Sequence, residues 1–267
     1  MWLIIIGALV VFKIYGGLAL ILILAGLAQF ETYGLLSRMG GEPRVLEGIV
    51  AGSVFIFLVA ALSMAGSVDS PLAVALGIIL PILVTVVMLQ TPVHQLARRL
   101  FPTMTGFVLV PVCLAFFALI STLPSVDSAQ GLFLAVWVVA VAKFSDVGAL
   151  LIGSRIGRKP LAPAYSPKKT VEGAIGGVLS SALVGCLLPM IFGSLAPEAL
   201  SLGICLFLSL LLGVVAIISD LMGSALKRIA GVKDSGSRIP GIGGGLDLVD
   251  SLLFTGPLAY AVLALAL

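Results

Sequence analysis

Long apolar runs separated by short polar connections set the pattern of this chain. Residues 1–30 are almost wholly apolar, broken by Lys13 and the Gly16-Gly17 pair. They read as one long span or as two short ones meeting near Lys13. The run 14–30 is itself short for a hydrocarbon core of about 30 Å, which leaves a re-entrant or tilted pair open. Residues 31–46 mix Glu31, Arg38, Glu42 and Arg44 with Gly40-Gly41 and are expected to form a loop or a short interfacial helix. Spans are then predicted over roughly 47–66, 71–91, 105–123, 131–152, 174–193, 199–221 and 248–266. The last is interrupted by Gly256-Pro257, where a kink is allowed. The pattern predicts an all-α, polytopic integral membrane protein of about eight or nine segments, with 1–267 as a single membrane domain.

Composition agrees. The chain is 60% hydrophobic and 10% charged, with a mean hydropathy of +1.26. A soluble domain carries about 25% charged residues. The net charge of +3 matters less than its distribution. Apart from Lys13 and Lys143, every Lys and Arg lies in one of four connections: 31–46, 92–104, 153–171 and 222–247. The turns between them carry none, and the two sets alternate along the spans. The basic connections are therefore expected on the cytoplasmic side of the cell membrane. No basic domain stands outside the apolar runs, so nucleic acid is not an expected partner. Cys113, Cys186 and Cys205 all sit within apolar runs and read as small buried hydrophobes rather than a metal motif. His94, the one histidine, reads as a surface loop residue.

Candidate chemistry gathers where charge meets the span ends. Lys143 and Asp146 lie three apart near the end of the 131–152 span and can satisfy each other, or can face a polar cavity. The loop that follows, 153–173, carries Arg155, Arg158, Lys159 and the set Ser166-Pro167-Lys168-Lys169-Thr170, with Glu172 opening the next span. A phosphate held there would meet helix-end amides as well as lysines. In the stretch 219–250, Asp220, Ser224, Lys227 and Arg228 share one helical face, and Gly231 is a helix stop. Lys233 and Asp234, the loop Pro240-Gly241-Ile242-Gly243-Gly244-Gly245, and Asp247 and Asp250 complete it. Asp146, Asp220, Asp247 and Asp250 at span ends suit a shared Mg²⁺, while Lys168, Lys169, Lys227 and Arg228 suit phosphate. Direct attack of a phosphate oxygen on a nucleotide α-phosphorus needs positioning and charge neutralisation, not a covalent intermediate. The glycine loop can bring amides close to phosphate, although such loops also serve as hinges.

These motifs, in order, resemble the phosphatidate cytidylyltransferases (CDP-diacylglycerol synthases). Ser224, Lys227, Arg228, Lys233, Asp234, Pro240, Gly241, Gly243, Gly244, Asp247 and Asp250 stand at matching spacing in the family's C-terminal signature. Asp146 with Gly148 and Gly153, then Leu161, Pro163, Ser166, Pro167, Lys168, Lys169, Thr170, Glu172, Gly173, Gly176 and Gly177, extend the likeness, as does Ser219-Asp220-Leu221. The match covers about 140–255. It implies conversion of CTP and phosphatidate to CDP-diacylglycerol and pyrophosphate, in a multi-pass protein of the inner or cytoplasmic membrane. By the same resemblance, Asp220 and Asp247 are the ion-binding pair, with Mg²⁺ and a monovalent cation such as K⁺. Ser166, Lys168, Lys169, Lys227, Arg228, Lys233 and Asp234 line the polar site, and the protein is a homodimer. The chain departs from the family pattern at Ile242 (usually His), Leu248 (Arg), Gly223 (Glu), Ser219 (Gly) and Leu150 (Tyr). These departures keep two alternatives open: a CTP-dependent enzyme for another membrane lipid phosphate or lipid alcohol, and a catalytically weak scaffold or transport relative.

Overall fold

The computed structural model describes residues 2–66, 69–236 and 243–267, with 2–13 as backbone alone. The motif positions Arg238, Pro240, Gly241 and Ile242 lie outside the described residues. Among the described residues, eight helical stretches are long and apolar enough to cross a membrane. Their outward faces are apolar: Leu46, Val50, Val54 and Phe57 form an exposed stripe along one span, and Val74, Ile78 and Ile82 along the next. Such stripes belong against lipid. The protein is an all-α, multi-pass membrane protein, with a single two-stranded hairpin among the described residues.

The first element is a single helix, α1 (Trp2–Arg38), and not two short segments. It also absorbs residues expected as a connection. Glu31 and Tyr33 are buried in it, because polar partners distant in sequence receive them. α2 (Val45–Ala65) and α3 (Pro71–Leu89) match the pattern. The expected connection 92–104 is mostly helical. A 3₁₀ turn (Val93–Gln95) leads into α4 (Leu96–Phe107), a π turn (Val108–Val112) containing Pro111, and α5 (Cys113–Ser121). Arg98 and Arg99 are accommodated within a helix because the Arg98 side chain is exposed and Glu42 pairs with Arg99 at 3.3 Å. His94 is exposed in the 3₁₀ turn, as expected.

α6 (Ser128–Ile156) begins at a capping box, with Asp127 accepting from the Ala129 and Gln130 amides. Strands β1 (Pro160–Ala162) and β2 (Ser166–Thr170) form an antiparallel hairpin with Pro160 opposite Thr170. α7 (Val171–Ile191) and α8 (Leu202–Ile229) follow. α8 stops as its sequence predicts: Gly231 adopts φ +73°, and the Gly231 and Val232 amides return to the Arg228 and Lys227 carbonyls. The last span is α9 (Gly245–Val249) and α10 (Leu252–Ala266), broken at Asp250-Ser251 and continuous through Gly256-Pro257. The break falls there because side chains satisfy its backbone: the Asp250 carboxylate accepts the Ser251 amide at 2.8 Å, and the Ser219 hydroxyl donates to the Asp250 carbonyl.

Two compact units emerge: residues 1–119 with 226–249, and residues 120–225 with 250–267. In the first, Tyr33 is the hub. Its hydroxyl donates to the Thr103 carbonyl at 3.0 Å and accepts from Gln29 at 2.9 Å, and Gln29 also donates to the Gly48 carbonyl. Gly48 and Gly106 press on this side chain, where a β-carbon would lie 2.0 Å from the hydroxyl oxygen and 2.2 Å from the ring, respectively. In the second, α6 and α7 pack closely through small residues. Ser181 donates to the Val141 carbonyl at 2.9 Å, and Trp137 to the Gly185 carbonyl at 2.9 Å. A β-carbon at Gly177 would lie 2.6 Å from the Ser145 carbonyl oxygen. Close approach through small residues is how helices associate where lipid removes the hydrophobic drive.

Candidate active site

Within the second unit, the hairpin delivers cations to carboxylates. Glu172, in the first turn of α7, accepts the Arg158 and Lys159 amides at 3.0 and 3.2 Å and so ties down the start of the loop. Thr170 caps α7, its hydroxyl oxygen accepting the Gly173 amide at 3.1 Å. With β2 anchored at that end, Lys169 forms an ion pair with Asp220 on α8. Both are half-buried, whereas Lys168 points outward and Ser166 is half-buried at the start of the strand. Nearby in sequence terms, Lys143 pairs with Asp146 at 3.5 Å, and also donates to the Ser251 hydroxyl at 2.8 Å.

Asp250 is 6% exposed and shapes the start of α10 through the Ser251 amide. Ser219 accepts the Phe254 amide at 3.3 Å while donating to the Asp250 carbonyl, so its hydroxyl staples α8 to the broken span. A glycine at that place could not do so. The β-carbon that Gly223 lacks would lie 3.1 Å from the Asp250 β-carbon. The glutamate usual there would press on Asp250, so these two departures belong to one local arrangement. Ser224 is half-buried on the same helix.

Within the first unit, Lys227 forms an ion pair with Asp247. One Asp247 oxygen takes the lysine, and the other accepts the Gly244 amide at 3.0 Å and lies 3.0 Å from the Ser235 hydroxyl oxygen. Glu31, 4% exposed on α1, accepts the Ser235 hydroxyl at 2.7 Å, the Gly245 amide at 2.9 Å and the Leu246 amide at 3.0 Å. The amides of Gly244, Gly245 and Leu246 are thus directed at carboxylates. Gly243 adopts φ +105° against Asp247. Arg228 is exposed and reaches the Val232 carbonyl at 3.3 Å; Lys233 and Asp234 are exposed, and Leu248 is half-buried. A cavity of about 280 Å³ opens beside Glu31, lined by Phe30, Arg38, Asp234 and Ser235 among others.

The structure therefore joins Lys169 to Asp220, Lys227 to Asp247, and Lys143 to Asp146, and leaves Lys168, Lys233 and Asp234 outward. Sequence reasoning missed Glu31, Ser235 and Ser251. The available signal was a glutamate closing a 30-residue apolar stretch, a place where a charge is costly unless held. Among the described residues, no group of three or more His, Cys, Asp or Glu gathers into a metal cage. Mg²⁺ needs no such cage when a single carboxylate shares it with substrate phosphates, and Asp220 in one unit and Asp247 in the other are each a carboxylate of that kind.

A family model described as Cytidylyltransferase family matches residues 1–266. The chain belongs to the cytidylyltransferase family. It is 43% identical over 141 residues to a phosphatidate cytidylyltransferase of Synechocystis sp., covering 51% of this chain and 45% of that protein. To a phosphatidate cytidylyltransferase of Bacillus subtilis it is 42% identical over 121 residues, 45% of this chain and 44% of that one. To the uncharacterized protein YnbB of Escherichia coli it is 35% identical over 156 residues, covering 58% and 50% of the two chains. The chain spans about half the length of the curated relatives it matches. Membership of the cytidylyltransferase family accounts for the ordered motifs, and the Lys169–Asp220 and Lys227–Asp247 pairs are built from them.

Proposed function

We propose that this chain transfers CMP from CTP to phosphatidate, giving CDP-diacylglycerol and pyrophosphate. The reading rests on the Lys169–Asp220 and Lys227–Asp247 pairs: motif residues far apart in sequence meet, at half-buried positions except for Lys227, which is buried. Names of the relatives support the substrate pair.

An oxygen of the phosphatidate phosphate attacks the α-phosphorus of CTP. The new P–O bond forms as the bond to the β-phosphoryl group breaks, and pyrophosphate leaves with that electron pair. The two phosphates repel, so the main demand is charge neutralisation and alignment. Lys169 and Lys227 supply ammonium groups already held in place by their aspartates, and exposed Lys168 and Arg228 add cations for incoming phosphate. Asp220 and Asp247 would each offer a carboxylate to Mg²⁺, which when bound offsets the triphosphate charge. A monovalent cation such as K⁺ and a homodimer are part of the same proposal, on the family resemblance. The positive charge of the four basic connections supports a cytoplasmic site, where CTP is available.

The test is purified protein in detergent with labelled CTP, Mg²⁺ and a panel of lipid phosphates and lipid alcohols. Lipid-linked CMP and pyrophosphate in equal amounts are expected with phosphatidate. Product with a different lipid alone, or none with any, would overturn the assignment.

A further inference from the structure

Glu31 is the most heavily engaged carboxylate outside the sequence motifs. Its donors lie more than 200 residues away along the chain. Two of them, the Gly245 and Leu246 amides, are the first amides of α9, which have no partner within their own helix. α9 has five residues, too few to hold a helix unaided. Asp247 is its third residue and accepts the amide of Gly244, the residue just before the helix. That is one half of a capping box. The other half normally comes from a Ser or Thr side chain at the position of Gly244, and glycine has none. Glu31 fills the role from another helix.

The packing admits no local substitute. A β-carbon at Gly244 would lie 2.3 Å from the Glu31 carboxylate and 2.0 Å from the Ser235 hydroxyl; one at Gly236 would lie 2.5 Å from the same carboxylate. Ser235 ties the arrangement together, at 2.7 Å from Glu31 and 3.0 Å from Asp247. A hydroxyl carries one hydrogen, so it serves one carboxylate at a time. The shorter contact assigns that hydrogen to Glu31.

We propose that Glu31 is a positioning residue for the cytidylyltransfer site: its carboxylate fixes the turn 244–246 and with it the direction in which Asp247 points. It does this through Asp247 and touches no substrate. The inference rests on the cytidylyltransferase reading for its effect on rate, and on geometry alone for the clamp.

The test compares full-length wild type with Glu31→Gln, which keeps the shape but turns an amide NH₂ towards a backbone N–H, and with Ser235→Ala, which removes the linking hydroxyl. Both are read by steady-state kinetics and by hydrogen exchange of the peptides covering 243–250. Glu31→Gln should lower kcat about 10–100-fold, the range for groups that orient a functional ligand. KM for CTP and for lipid should stay within about twofold, while exchange rises in 243–250 and stays unchanged in α6 and α7. Ser235→Ala should give the same signature at smaller amplitude, and serves if Glu31→Gln fails to fold. Unchanged kcat, a loss carried by KM, or unchanged exchange over 243–250 would overturn the proposal. If wild type forms no CTP-dependent product, the cytidylyltransferase reading falls, and exchange alone decides whether Glu31 holds the segment.

Discussion

The ammonium of Lys169 and the carboxylate of Asp220 form an ion pair between a two-stranded hairpin and a membrane helix, 51 residues apart in sequence. The hairpin can present that lysine only because Thr170 and Glu172 pin it to the start of α7. Asp220→Asn and Asp247→Asn keep shape and remove charge. Each is expected to lower turnover at least about a hundredfold while detergent-extracted protein stays folded. Initial rates across a Mg²⁺ titration check this, and wild-type rates and Mg²⁺ dependence in both variants would refute it.

Leu248 lies beside Asp247 on α9, half-buried, where the family pattern has arginine. Arginine offers five directed donors and leucine none. Leu248→Arg is expected to raise turnover on phosphatidate by up to about 10²-fold, the worth of one charge-assisted contact in the transition state. An unchanged rate in an already vigorous enzyme would mean that other groups supply the contact.

The alternation of basic connections predicts their side. On a background with Cys113, Cys186 and Cys205 replaced, single cysteines at the exposed positions Arg98, Lys159 and Lys233 should resist an impermeant thiol reagent in intact cells. All three should react after permeabilisation. Labelling of any one from outside would break the topology.

Tyr33 predicts a stability effect separate from chemistry. Tyr33→Phe removes a buried hydroxyl bonded to Gln29 and to the Thr103 carbonyl, and is expected to cost about 1–2 kcal/mol. Gly106→Ala drives a methyl group into the ring and should cost more, about 1–3 kcal/mol or above. Thermal unfolding in detergent ranks the two, and the reverse order would show that the ring can shift.

The apolar pattern was sufficient for the spans because lipid imposes one rule on every residue facing it. Lys143 with Asp146 was legible from their spacing on one helix. The partners of Lys169 and Lys227 were not, because helix periodicity relates neighbours along one element and says nothing of elements that meet later. The apolar pattern alone assigns Glu31 to a connection for the same reason. Its burial is decided by amides and a hydroxyl more than 200 residues on. The break at Asp250-Ser251 was hidden by a more conspicuous Gly256-Pro257. A proline removes one donor, whereas the carboxylate of Asp250 and the hydroxyl of Ser219 actively stabilise a non-helical turn.

The bond from Trp137 to the Gly185 carbonyl has an optical consequence. The chain has two tryptophans, Trp2 and Trp137, and Trp137 is fully buried between α6 and α7. With Trp2 replaced by phenylalanine, all indole emission comes from that one seam. Its wavelength then reports, without an added dye, whether the two helices that flank the lysine-bearing hairpin are in register.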